Sequence, residues 1–181
     1  MQFVVSKQNL QKELGFVQGI VERKNTIPVL SNIMIESVGD NTIRLTGTDL
    51  DVTIRCDMDA ETIGVPGSIC VQARKLFEIA RLLPDAPVSF QKEDNEWVTV
   101  KCDRSKFKMV GVARAAFPEV PSFKSAPTKI SAEVLKAMID RTIFSITQEE
   151  SRYTLSGAKF ILDNGGATMV TTDGHRLAYR S

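Results

Sequence analysis

The chain has 181 residues, 43% hydrophobic and 25% charged, with a net charge of +1. This composition fits a soluble globular protein, and no apolar run nears the roughly 20 residues of a membrane span. A protein holding nucleic acid by charge alone would be far more basic, because such affinity comes largely from neutralising phosphates.

Met1-Gln2-Phe3-Val4-Val5 has no basic stretch and no long apolar stretch, so no secretory leader is read there. Phe3-Val4-Val5 reads as a strand. Ser6 reads as the N-cap of a helix, since its hydroxyl can accept a bond from an orphan N–H of the first turn. Leu10, Leu14, Val17 and Val21 follow at helical spacing as one apolar stripe. Strands are predicted at 32–37, 42–46 and 51–56, with Gly39-Asp40-Asn41 turning the first hairpin. Next comes a strand at Ser68-Ile69-Cys70-Val71, then a helix over 73–83 carrying Leu76, Ile79, Ala80 and Leu83 on one face. Strands are predicted again at 88–91, 97–102 and 106–110. A third copy opens with a strand at Lys129-Ile130, and Ser131 caps a helix bearing Leu135, Met138, Ile139 and Thr142. Its strands are expected at 158–162, 168–171 and 176–180, with Asn164-Gly165-Gly166 at a turn.

The pattern of strand, amphipathic helix and three strands thus occurs three times. Copies one and three also match by residue: Ser6 and Leu10 with Ser131 and Leu135, Leu30-Ser31 with Leu155-Ser156, Thr48-Asp49 with Thr172-Asp173. The large period is about 125 residues, holding two half-units. Residues 113–127 are rich in Ala, Pro and Ser and read as a linker. The expected fold is α+β with antiparallel sheets: a first domain over 1–125, and over 126–181 the first half of a second domain, truncated. A half-unit without its mate buries its apolar faces poorly, so self-association through the third half-unit is expected. The cysteines, Cys56, Cys70 and Cys102, are odd in number and widely spaced, which fits buried thiols in a reducing cytoplasm.

Opposite the first stripe lie Gln8, Lys12, Gly15, Gly19 and Arg23, without a carboxylate. The second helix turns out Arg74, Glu78 and Arg81, and the third Glu133, Lys136 and Asp140. Such faces usually read as solvated surface, and together they hint at no more than a mildly positive one.

Four strings carry a family resemblance: Leu45-Thr46-Gly47-Thr48-Asp49-Leu50, Ala73-Arg74-Lys75-Leu76-Phe77, Arg152-Tyr153-Thr154-Leu155-Ser156-Gly157 and Thr171-Thr172-Asp173-Gly174-His175-Arg176-Leu177-Ala178. In this order they resemble the bacterial sliding clamp, the beta subunit of the replicative DNA polymerase, across the whole chain. The resemblance implies a DNA clamp fold built of repeated β-α-β-β-β half-units, three domains per subunit with the third absent here, and two subunits joined head to tail in a homodimer ring. Helices would line the hole around double-stranded DNA. A ring is held by topology, which fits a near-neutral charge. On this reading the 181 residues alone do not close a ring.

The resemblance also implies sites. Leu155, Thr172, Gly174, His175, Arg176 and Leu177 would form one wall of a pocket for linear motifs of the polymerase, the clamp loader and repair proteins. On pattern alone, Leu155 and Leu177 read as core and Gly174 as a turn residue. Arg23 and Lys24, and Gln148, Arg152 and Tyr153 in a later loop, would contact DNA, against the repulsion of Glu149 and Glu150. Solvated loops are the other reading. Arg74, Lys75, Arg104, Lys106 and Met109 would form the first domain's ring interface, although Lys106 and Lys108 also read as lysines guarding an edge strand.

Chemistry is sparse. His175 is the only histidine, no Gly-x-Ser-x-Gly or Gly-x4-Gly-Lys-Ser/Thr loop occurs, and Cys-x2-Cys spacing is absent. No enzyme activity, cofactor or metal is expected. The alternative is a hydrolase or nucleotide-binding enzyme centred on Asp173 and His175.

Overall fold

The structure is a computed structural model that describes residues 1–21, 27–120, 128–163 and 166–181. The chain divides into two compact units, Met1–Pro121 and Ser122–Ser181.

In the first unit, β1 (Gln2–Ser6) leads into α1 (Lys7–Val17). Ser6 caps the helix as its sequence predicts, accepting a bond from the Asn9 N–H at 3.1 Å. Leu10, Leu14 and Val17 are buried. Val21 lies beyond the end of the helix but still leans on the same core. The chain tightens there, with Gly19 N–H on Phe16 O and Ile20 N–H on Val17 O, the i to i+3 bonds that close many helix ends.

There follow β2 (Asn32–Val38), β3 (Thr42–Thr48), β4 (Thr53–Asp59) and β5 (Thr62–Val65). Gly39, at φ +62°, turns the β2–β3 hairpin. The second half-unit is β6 (Ser68–Gln72), α2 (Ala73–Leu82), β7 (Pro87–Lys92), β8 (Trp97–Cys102) and β9 (Ser105–Val112). The strands join in the order β4-β3-β2-β6-β9-β8-β7-β1-β5, every neighbouring pair antiparallel.

That order shows why two half-units make one domain. Each opening strand is lent to the other half. β1 lies between β7 and β5, and β6 lies between β2 and β9. The stripes of α1 and α2 and the inner faces of both sheet halves merge into one core, in which Phe3 and Phe90 stack at 4.8 Å. Gly47 fits α1 against β3: a Cβ there would meet Val17 Cγ1 at 2.7 Å and the Val17 carbonyl at 3.2 Å.

The expected linker is only partly a linker. Phe117 is buried over Met34 and Cys70 on the outer side of β2 and β6, with Val120 packed against it, while 113–116 stay exposed. Burial pushes the Cys70 thiol up to about 11. The three thiols are free, Cys56 only half-buried.

The second unit holds α3 (Ala132–Thr142), a 3-10 turn at Ile143–Ser145, a 3-10 segment at Glu150–Leu155 kinked at Arg152, and a sheet of β10 (Lys159–Asp163), β11 (Gly166–Thr172) and β12 (Leu177–Arg180) in that order. Lys129-Ile130 does not form the predicted strand. In the first unit its counterpart β1 is held by β7 and β5, and no described strand of the second unit plays that part. Ser131 stands at the N-cap but makes no capping bond. Met138 and Thr142 are buried, whereas Ile139 is exposed. Among the described residues, no helix is long and apolar enough to cross a membrane.

Candidate functional site

The β11–β12 connection is a turn closed by side-chain hydrogen bonds. Thr172 Oγ1 donates to the Arg176 carbonyl at 2.7 Å and accepts the Gly174 N–H at 3.0 Å. Asp173 Oδ1 accepts the N–H groups of His175 (3.0 Å) and Arg176 (2.9 Å), while Oδ2 accepts the Arg176 Nε–H at 2.9 Å. Gly174 sits at φ +90°, a conformation that favours glycine. These are side chains mimicking backbone, the usual work of Asp and Thr in turns.

The same turn occurs in the first unit. Thr48 Oγ1 donates to Val52 O at 3.0 Å and accepts Leu50 N–H at 3.1 Å. Asp49 Oδ1 accepts the N–H groups of Asp51 and Val52, at 3.0 and 2.7 Å. Leu50 takes φ +83°, the position of Gly174 in the other copy. The Thr-Asp pair repeated in the sequence is therefore a repeated turn.

This geometry fixes the role of Asp173. Backbone bonds from Arg176 and then His175, with the Arg176 side chain adding to them, hold its carboxyl down to about 2. It is an acceptor already engaged, and it meets the backbone of His175. A hydrolytic centre on Asp173 and His175 is not supported. Among the described residues, no three His, Cys, Asp or Glu side chains gather as a metal site.

Around the turn, Leu177 is 64% exposed at the start of β12. Leu155 is half-buried, and its carbonyl accepts the Thr147 N–H at 3.1 Å, which ties the loop back. Two further residues belong here. Arg152, placed by its sequence with the DNA contacts, donates from Nη1 to the Asp173 carbonyl at 3.2 Å and pairs with Glu149 at 3.3 Å. Phe144, which no motif marked, is 58% exposed and lies under the Arg176 guanidinium at 5.8 Å. Its signal was faint: an aromatic just past the end of an amphipathic helix, where core is the usual expectation. Nearby, Ile139, Ile143, Ile146, Ala158 and Met169 line an apolar hollow of about 180 Å³.

The other candidates are scattered. Gln148 and Tyr153 are exposed in the loop after α3, Tyr153 at 79%. Arg23 and Lys24 lie outside the described residues. In the first unit Arg74, Lys75, Arg104 and Lys106 are exposed, with Arg74 bonded to Glu78 at 2.9 Å. Met109 is a correction. It is 1% exposed and points into the core, because side chains alternate along β9 and Lys106, Lys108 and Val110 take the outer face. β9 meets β6 only at Gly111 and Val112, so Ser105–Val110 is paired along one edge, with β8.

Comparison with known proteins identifies the family. The family model for the DNA polymerase III beta subunit, N-terminal domain, matches residues 1–121, and that for its central domain matches 129–181. The beta sliding clamp of Chlamydia muridarum is 35% identical over 179 residues, which is 98% of this chain and 48% of the relative. A crystal structure of DNA polymerase III subunit beta from Pseudomonas aeruginosa superposes with a TM-score of 0.91 at 36% identity, covering 99% of this chain and 49% of that one. A DNA polymerase sliding clamp from Caulobacter crescentus gives 0.86 at 38%, covering 99% and 50%. The chain spans about half the length of the curated relatives it matches. It belongs to the DNA polymerase III beta subunit family, the bacterial sliding clamps.

Proposed function

We propose that the protein is a DNA polymerase processivity factor: a ring subunit that encircles duplex DNA and tethers the replicative polymerase, clamp loader and repair proteins through short linear motifs. Family membership supports this reading. The observation that carries it is the Thr172–Arg176 turn, locked by its own hydrogen bonds beside the exposed side chains of Leu177 and Phe144. A preorganised frame next to unburied apolar surface is what a short peptide needs, because little ordering remains to be done on binding.

On this proposal Leu155, Thr172, Gly174, His175, Arg176 and Leu177 form one wall of the pocket, with Arg152 and Phe144 added to it, and the family's third domain supplies the other wall. Arg152 bridges the loop to the turn and leaves DNA contact to Arg23, Lys24, Gln148 and Tyr153. Arg74, Lys75, Arg104 and Lys106 serve a head-to-tail joint along the half-open β9. The protein works in the cytoplasm, performs no chemistry and holds no cofactor.

Processivity tests this directly. With a clamp loader and the subunit carried to its relatives' length, the polymerase should extend much longer products per encounter with primed DNA. Products of unchanged length would refute the proposal.

A further inference from the structure

Arg152 stands between two surfaces. Its sequence neighbours, Gln148 and Tyr153, are the exposed DNA-contact candidates of the loop after α3, yet its side chain reaches the turn between β11 and β12. The guanidinium is shared. Nε faces Glu149 at 3.3 Å, and Nη1 donates to the Asp173 carbonyl at 3.2 Å. Gly174 lies close beside it, since a Cβ there would meet Nη1 at 3.4 Å. Among the described residues, this bond to Asp173 is the one hydrogen bond or ion pair that joins residues 147–157 to residues 172–177.

Each side keeps its own shape. In the loop, Thr147 N–H bonds the Leu155 carbonyl, Thr147 Oγ1 accepts the Glu149 N–H, and Ser156 Oγ donates to the Tyr153 carbonyl. The turn is closed by Thr172 and Asp173. Arg152 therefore sets how the two are joined. The joint is also open to competition. The Arg152 side chain is 46% exposed, and its acceptor on the turn is a neutral carbonyl. A guanidinium bonds phosphate with charge assistance, about twice as strongly as neutral groups bond each other.

We propose that Arg152 is a two-position latch between DNA and the motif pocket, an inference that rests on the clamp reading above. Docked on the Asp173 carbonyl, it braces the turn for a peptide. A DNA phosphate arriving at the Gln148–Tyr153 loop takes the guanidinium and leaves the turn unbraced. DNA contact and motif binding oppose each other through this one side chain. By linkage, each weakens the other by the same factor.

The experiment has two arms. In the first, a labelled polymerase motif peptide is titrated with the subunit at its relatives' full length, with and without a short DNA duplex. The duplex should weaken the peptide about fivefold. Arg152→Ala should weaken the peptide in the absence of DNA and abolish the effect of the duplex. A merely structural arginine would lower the affinity but leave the duplex effect in place. Glu149→Gln removes the carboxylate that competes with phosphate for the guanidinium, so it should enlarge the duplex effect. In the second arm, amide exchange at Gly174 and His175 is followed in the 181-residue chain itself. The duplex should speed it in the parent and not in Arg152→Ala. If no peptide binds, the clamp reading fails by itself, and the exchange arm still decides the latch. Exchange unmoved by the duplex, or a duplex effect that survives Arg152→Ala, would overturn the proposal.

Discussion

Leu177→Asp probes the proposed pocket most sharply, because the structure separates its effect on binding from its effect on folding. Leu177 is 64% exposed and joins the sheet through the backbone, in register with Thr172. An exposed leucine replaced by aspartate should leave folding within about 0.5 kcal/mol of the parent. Full burial of a leucine stabilises by about 1.5–3 kcal/mol. About two-thirds of that, about 1–2 kcal/mol, remains for a bound peptide to gain. Aspartate forfeits it and adds the desolvation of a charge, so the loss should exceed 1.4 kcal/mol, or tenfold in affinity. The assay is fluorescence anisotropy of a labelled polymerase motif peptide titrated with the subunit at its relatives' full length, with thermal melts run in parallel. Unchanged affinity with an unchanged melt would remove Leu177 from the site.

Gly47→Ala should destabilise the first unit by about 1–2 kcal/mol in urea unfolding, as overpacking against Val17 outweighs the lower chain entropy of alanine. Val17→Ala in the same chain should recover part of that loss, and strict additivity would argue against the contact. The Asp173 carboxyl is held at about 2, below its ordinary 3.8, so its ordering of the turn is complete above about pH 4 and fades as the pH falls toward 2. Amide exchange at His175 and Arg176 should show this dependence, and Asp173→Asn should abolish it. Met109→Ala, in the core, should destabilise by about 2–5 kcal/mol. Lys106→Glu should leave stability within about 0.5 kcal/mol of the parent and weaken ring association in sedimentation. A stable Met109→Ala protein would contradict its burial.

The regular elements were legible because their cause is local. Ser6 at the N-cap and the Leu10, Leu14, Val17 stripe fix α1 without reference to the rest of the chain. What was hidden depended on distant partners. The exchange of β1 and β6 between half-units has no sequence mark, and Lys129-Ile130 looks like a strand until one asks what would pair with it. Met109 was misplaced by the family resemblance, whereas the alternation of Lys106 and Lys108 along the same strand puts it on the opposite, inward face. At the site, the Thr-Asp repeat was visible as letters, but its meaning as a hydrogen-bonded turn needed coordinates. So did the bond that draws Arg152 to Asp173, from 21 residues away. Phe144 gave almost no signal, because an aromatic after an apolar stripe normally continues the core.

The central claim is that retention on DNA comes from ring topology and not from charge. The direct measurement loads the subunit, at its relatives' full length and with a clamp loader, onto nicked circular DNA, then raises the salt and cuts the circle. The account predicts that the protein stays on the closed circle at salt concentrations that abolish phosphate contacts, and runs off once the DNA is linear. Loss from the intact circle at high salt, or equal retention on linear DNA, would contradict it.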